Sequence, residues 1–359
     1  MRENGGTGES VSEGMVKGSR PVSLALVGVG DWGRNLLRNF LNLPEAHVCI
    51  CCDANETVRR AIEAAYPSLT VTDDASVALE HPETEAVVIA TNASMHYSHV
   101  KEALLAGKHA FVEKPLAMAG AEAEELVRLA EERELKLMVG HLMIYHPAVT
   151  YLKSIVDSGD LGKIYYCYSQ RVNLGKVRKD ENALFSFAPH DISVLLHLFE
   201  EEPIQVSTWG KAYLQPGVED VVFVNLEFAD GKMAQCHLSW LDPHKVRKLT
   251  IVGDRKMAVF DDMESDEKIK VFDRGINQPS FVGYGEALTV RFGDIFIPHI
   301  PMTEPLRIEC QHFLDCIRQD TTPATDGRDG LRVVRVLEAA QASLMQGGRP
   351  VELRGDRGA

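Results

Sequence analysis

Ser23-Leu24-Ala25-Leu26-Val27-Gly28-Val29-Gly30-Asp31-Trp32-Gly33-Arg34-Asn35-Leu36-Leu37 decides the fold. An apolar run ends at Gly28, three glycines follow with GxGxxG spacing, and apolar positions then recur at helical spacing. Strand, tight turn and helix in immediate succession open a βαβ unit. In that setting each glycine has a physical reason. Gly28 permits the turn, Gly30 lets backbone approach a pyrophosphate, and Gly33 lets the helix pack on the strand with its amino end towards the anion. Asp31 and Trp32 fill the variable positions, and Trp32, too large to be core there, is expected to cover the bound dinucleotide.

The next apolar run, His47 to Cys52, ends at Asp53, about 20 residues past the last glycine, where a carboxylate accepts from ribose hydroxyls. A 2′-phosphate would be repelled there, and Ala54-Asn55 brings no arginine directly after it, although Arg59 or Arg60 on the next helix could reach across. NAD is therefore expected ahead of NADP. Apolar runs and helical stretches keep alternating as far as Gly140, the pattern of a parallel sheet covered on both faces. This places a Rossmann-type domain at 22–142, after a Gly/Ser/Glu-rich leader at 1–21 expected to be disordered. In such sheets the ligand lies beyond the carboxyl ends of the strands, which points to Thr91, Asn92 and His96 after one run and to Glu113-Lys114-Pro115 after another.

Beyond His141 the rhythm changes. A helix near Pro147–Ser158 is followed by alternating runs, a short helix holding Asp191–Phe199, two runs joined by Asp230-Gly231 and three further strands. Asp-Gly between alternating runs signals a hairpin. The segment 143–359 is thus expected to be an α+β domain with a large, open, mainly antiparallel sheet, which makes the whole chain α/β.

Lys and Arg number 38 against 52 Asp and Glu, a formal charge of −14, so long-range electrostatics disfavour nucleic acid and anionic membranes as partners. No segment reaches the roughly 18 apolar residues of a membrane span. The seven cysteines show neither CxxC spacing nor paired histidines, which suggests free thiols, no metal site and a cytoplasmic setting.

A lysine at a strand's carboxyl edge beside a cationic nicotinamide would have its pKa drawn down and could steer protons. His190, between Pro189 and Asp191, is expected at a helix amino end, where backbone dipoles keep the imidazole neutral and able to accept a proton. His141, Tyr145 and His146 fall at the domain junction, near the substrate or in packing.

The combination of GxGxxG, strand-end Asp53, Ala106–Pro115 (AGKHAFVEKP), Gly140-His141 and Leu161-Gly162-Lys163-Ile164 resembles the Gfo/Idh/MocA family of sugar and inositol dehydrogenases, from about Val22 to the last helix. The resemblance implies that Lys114 sits by the nicotinamide ring and that His190 is the acid or base at the reacting hydroxyl. It also marks departures. Ser186 stands where the family often has an aspartate four residues before the histidine, leaving His190 to act with Lys114 and Asp191, and Asn92 replaces a usual proline. Family members commonly pair through the open second sheet, which implies a homodimer or homotetramer.

Between Tyr168 and Lys179 the chain carries Arg171, Lys176, Arg178 and Lys179, a cationic stretch inside an acidic protein. Arginine forks suit a pyrophosphate, so Arg171, Asn173 and Arg178, with Tyr145, His190 and Asp191, are the expected substrate contacts. The surrounding segments are similar to family members that oxidise C3 of a UDP-N-acetylhexosamine or its uronic acid. An inositol or free-sugar dehydrogenase, an NAD-dependent glycosidase and a non-catalytic NAD-binding sensor share the same cofactor motifs.

Overall fold

The computed structural model describes residues 20–175, 177–179, 181–277 and 288–353. The expected leader is therefore almost entirely outside the described residues. The first half alternates as β1 (Val22–Val27), α1 (Gly33–Leu41), β2 (Ala46–Cys52), α2 (Glu56–Ala65), β3 (Thr70–Thr72), α3 (Ala75–Leu79), β4 (Ala86–Ile89), α4 (His96–Leu105), β5 (His109–Glu113), α5 (Gly120–Glu132) and β6 (Leu137–Gly140). The strands form one parallel sheet in the order β3-β2-β1-β4-β5-β6. Every residue of β1, β4 and β6 is buried, which is why these strands read as unbroken apolar runs. Strand order reverses between β1 and β4, and the crevice beyond their carboxyl ends is the ligand position of such a sheet.

The remainder comprises α6 (Pro147–Asp157), β7 (Ile164–Leu174), α7 (Ala183–Phe199), β8 (Gln205–Lys211), β9 (Val221–Glu227), β10 (Met233–Ser239), β11 (Leu241–Gly253), β12 (Met257–Asp261), β13 (Ile269–Asn277), β14 (Thr289–Phe296), α8 (Pro305–Gln319), α9 (Gly327–Met345) and β15 (Val351–Glu352). These strands form a sheet in the order β14-β13-β12-β11-β7-β10-β9-β8-β15, antiparallel except for the parallel pair β7–β10. The hairpin at Asp230-Gly231 joins β9 to β10, with Gly231 at φ +84°. Helices α7 and α9 cover one face, burying Val206, Val222, Val224, Cys236 and Leu238, while Tyr166, Tyr168, Trp209 and Phe223 remain exposed on the other.

Two features depart from expectation. The helix holding His190 begins at Ala183, where the side chain of Asn182 accepts from the amide of Phe185, so Pro189 is inside it. A proline there removes one ladder bond, and the burial of Ala183, Leu184 and Ala188 offsets the loss. Near the end of the chain, α8 returns to the first sheet. Leu306, Cys310, Phe313 and Leu314 pack with Leu24, Leu36, Phe40 and Phe111, so residues before 143 do not close that core alone. Helix α9 serves both halves, with Leu331 and Val334 in the first core and Val333, Val336 and Leu337 in the second.

Candidate active site

The glycine loop is built as its spacing requires. Gly28 adopts φ +87°, and a Cβ there would sit 2.7 Å from the carbonyl group of Ala90. A Cβ at Gly30 would meet nothing within 4 Å, so the middle of the loop faces open space, while one at Gly33 would strike the Gly28 carbonyl at 1.9 Å. Helix α1 opens without a side-chain cap and with no acidic residue in its first turn, which leaves its amino end to an anion. Asp53 accepts from the amide of Val29 through Oδ2 and from the amide of Asn55 through Oδ1, both at 2.9 Å. It thereby fixes the loop to the end of β2. Arg59 is held by the carbonyl oxygens of Asp53 and Ala54 and pairs with Asp73. An open glycine cradle, an uncapped helix start and a carboxylate at the end of β2 fit a dinucleotide.

Trp32 is 41% exposed, and its indole N–H donates to Glu113 Oε1 at 2.5 Å. Since β4 lies between β1 and β5, this bond spans the mouth of the crevice. Asp31 and Asn92 are exposed at its rim, and the Thr91 hydroxyl meets His99 Nδ1 at 3.3 Å. His96 is enclosed, with Nδ1 2.7 Å from the Pro115 carbonyl and Nε2 3.1 Å from that of Thr91. Its ring joins the Glu113-Lys114-Pro115 turn to the Thr91 loop, and burial lowers its basicity.

Lys114 extends from the end of β5 to α7, where Nζ donates to the carbonyl of Ser186 at 3.3 Å. Ser186 precedes His190 by four residues, so the two share a helix face and Lys114 abuts it. Burial lowers the Lys114 ammonium pKa; Glu181 and Glu113 oppose the shift, and Arg178 and Arg171 add to it. His190 is half-buried with Nδ1 enclosed and unpartnered. Burial holds its pKa well below the usual histidine value, aided by Lys114, Arg171, His141 and Arg247. The imidazole is therefore neutral, as the sequence suggested, but for a different reason: His190 is in the middle of α7, away from the helix dipole's amino end. His141 completes the cluster. Both of its ring nitrogens are buried without a partner, and burial with Lys114 nearby pushes its pKa down to about 3.

The expected substrate residues divide. Arg171 belongs to β7, not to a loop, and its Nε meets Asp191 Oδ2 at 2.6 Å in a pair that is almost fully enclosed. Asp191 thus turns to Arg171 and is not the partner of His190. Asn173 accepts from Arg247 at 2.8 Å. Arg178 pairs with Glu181 at 2.9 Å and is well exposed, whereas Lys176 falls outside the described residues. The Tyr145 hydroxyl is buried against Thr325 Oγ1 at 2.9 Å, and His146 caps α6 through the amide of Ala148. Arg247 escaped the sequence reading. It stands across from Arg171 in the β7–β11 pairing, with its guanidinium 5.5 Å over the ring of Phe187 and Nη1 donating to Val172. Its signal, a cation within the alternating run Lys245–Leu249, is that of any strand.

Fold and site together define a two-sheet oxidoreductase with a dinucleotide-binding front half. Residues 22–141 match the family described as Gfo/Idh/MocA oxidoreductases with an NAD-binding Rossmann fold, and residues 153–353 match that family's C-terminal α/β domain. The chain belongs to this family. It is 26% identical to 2,7-anhydro-N-acetylneuraminate hydratase of Mediterraneibacter gnavus over 60% of this chain, and spans 60% of that relative's length. It is also 26% identical to UDP-N-acetylglucosamine 3-dehydrogenase of Acidithiobacillus ferrooxidans, over 86% of this chain and 93% of the relative. The solved structure of that dehydrogenase superposes with a TM-score of 0.77 at 22% identity, covering 92% of this chain and 99% of the other. Among the described residues no helix is long and apolar enough to cross a membrane.

Proposed function

We propose that this chain oxidises a secondary hydroxyl of a sugar with NAD, specifically C3 of a UDP-N-acetylhexosamine or its uronic acid, giving a 3-keto sugar. One observation carries the proposal: Lys114, at the carboxyl end of a cofactor-sheet strand, is anchored one helical turn from a neutral, buried-walled His190. When bound, the nicotinamide ring supplies the hydride acceptor. His190, whose Nδ1 has no hydrogen-bond partner among the described residues, takes the hydroxyl proton. Lys114 polarises the same oxygen, and its low-lying ammonium can pass the proton onwards. Asp53 favours an unphosphorylated ribose, and Arg59, occupied by backbone carbonyls and Asp73, supports NAD over NADP. The uridine diphosphate assignment draws on the A. ferrooxidans relative and on exposed Arg178.

Single substitutions test the proposal. Lys114→Ala and His190→Ala are each expected to lower turnover by at least about 100-fold while NAD still binds. Near-normal turnover in either would overturn it.

A free-polyol substrate is the second reading. Arg171 favours it, because a cation neutralised by Asp191 is not available to a pyrophosphate. Seven free cysteines support a cytoplasmic setting. The exposed face bearing Tyr166, Tyr168, Trp209 and Phe223 supports pairing into a homodimer or homotetramer, and a monomeric mass by light scattering would contradict it.

A further inference from the structure

Glu309 of α8 is fully buried, and neither carboxyl oxygen has a hydrogen-bond partner. An orphaned carboxyl in a core calls for an explanation. Its position follows from two fixed points. Phe313, four residues later on the same helix face, packs edge-on against Phe111 of β5 with ring centroids 5.7 Å apart. At the helix end Asp320 meets Lys136, at the start of β6, at 2.6 Å. Helix α8 therefore runs antiparallel to β5 and β6. Stepping back four residues on the helix and forward two on the strand brings Glu309 opposite Glu113.

Glu113 is itself set for a charge. Its strand partner is Gly140, where a Cβ would come within 3.0 Å of the carboxylate, so the glycine leaves the carboxylate its space. Trp32 holds it at the mouth of the crevice, and Lys114 follows it directly. We propose that Glu113 and Glu309 form a carboxyl pair that releases a proton when the oxidised, cationic cofactor binds, so that pH sets the preference for NAD+ over NADH. This rests on the cofactor reading above.

A buried carboxyl and a half-buried one beside it do not both ionise readily. Burial, reinforced by Glu113, keeps the Glu309 carboxyl well above its ordinary range and thus neutral, and burial pushes Glu113 up to about 7. The other groups facing the pair are Lys114, the Trp32 indole, the Cys310 thiol, itself raised by burial, and the Tyr145 phenol. Near neutrality Glu113 is therefore poised. An arriving positive ring stabilises its carboxylate and sends the proton to solvent, whereas a neutral reduced ring does not. Glu309, still protonated, supports that carboxylate as a neutral polar neighbour.

Calorimetry of the intact protein at pH 7, in two buffers of different ionisation enthalpy, reads the proton directly. NAD+ is expected to release about half a proton and NADH none, with NAD+ affinity rising about tenfold from pH 6 to pH 8. Glu113→Gln should abolish the release. Glu309→Leu should move the midpoint upwards and weaken NAD+ but not NADH at pH 7, while Glu309→Gln restores both. The inference is overturned by equal pH dependence for the two cofactors, by Glu309→Leu behaving as the parent, or by proton release that survives Glu113→Gln, which would assign it to Lys114. If Glu309→Leu does not fold, the parent and Glu113→Gln still decide. Failure to bind either dinucleotide would remove the cofactor reading as well.

Discussion

The Nζ of Lys114 and the carbonyl oxygen of Ser186 are 3.3 Å apart, one at the end of a strand in the first sheet and the other in the helix that carries His190. The contact sets Lys114, proposed to act at the reacting hydroxyl, beside the helix that carries His190, its proposed partner. Ser186 holds Lys114 through its backbone carbonyl, not through its side chain.

The buried histidines tie stability to pH. His141 is neutral in the folded chain, with a pKa of about 3 against 6.5 unfolded, so the unfolded state binds more protons below pH 6.5. Its contribution is complete above that value and is lost as pH falls towards 3, by about 1.4 kcal/mol per pH unit within the window. Denaturant titrations at pH 7.5 and pH 5 should show this loss, and His141→Asn should reduce it. An unchanged difference in the variant would contradict the assignment.

Turnover has a related signature. Since burial holds His190 well below its ordinary value, the acid limb of kcat/KM should fall well under pH 6.5. A limb at 6.5 that disappears in His190→Ala would show a solvated ring.

The glycine loop separates folding from binding. Gly28→Ala places a side chain at φ +87° and against Ala90, and should destabilise by about 1–3 kcal/mol. Gly30→Val sets its Cβ where nothing lies within 4 Å and should melt close to the parent, yet weaken NAD by tenfold or more, about 1.4 kcal/mol. Thermal melts and fluorescence titration distinguish the two, and intact NAD affinity in Gly30→Val would remove the loop from the site.

Arg171 and Arg178 should behave oppositely. Arg171→Ala strands the buried Asp191 and should destabilise by about 3–5 kcal/mol, which a double change to Met at 171 and Leu at 191 largely reverses. Arg178→Ala removes an exposed guanidinium paired with Glu181 and should alter stability by about 1 kcal/mol or less. If the substrate carries a pyrophosphate, Arg178→Ala weakens the UDP-sugar and leaves free sugars unaffected. Equal effects on both would point to the polyol reading.

The front half was legible because its central strands are buried on both faces and its loop residues have few substitutes. Gly28, Gly33 and Asp53 stand where their spacing implied. The second half was less so. Pro189 suggests a helix start, whereas the Asn182 cap and the burial of Ala183, Leu184 and Ala188 begin the helix earlier. Arg171 reads as a free cation because Asp191, its partner, is 20 residues away on another element. The return of α8 to the first sheet has no local signal, since its apolar face suits either core. Glu309 was hidden in the same way, as one acid on an ordinary amphipathic helix.

Absorbance at the reduced-nicotinamide band tests the central claim most directly, with NAD and a panel of UDP-N-acetylglucosamine, its uronic acid, glucose and inositol, and with L-glutamate and an aminotransferase added to draw off the keto product. Reduction with the UDP-sugars and not with the free compounds is the expected result; reduction with inositol or glucose alone would contradict it.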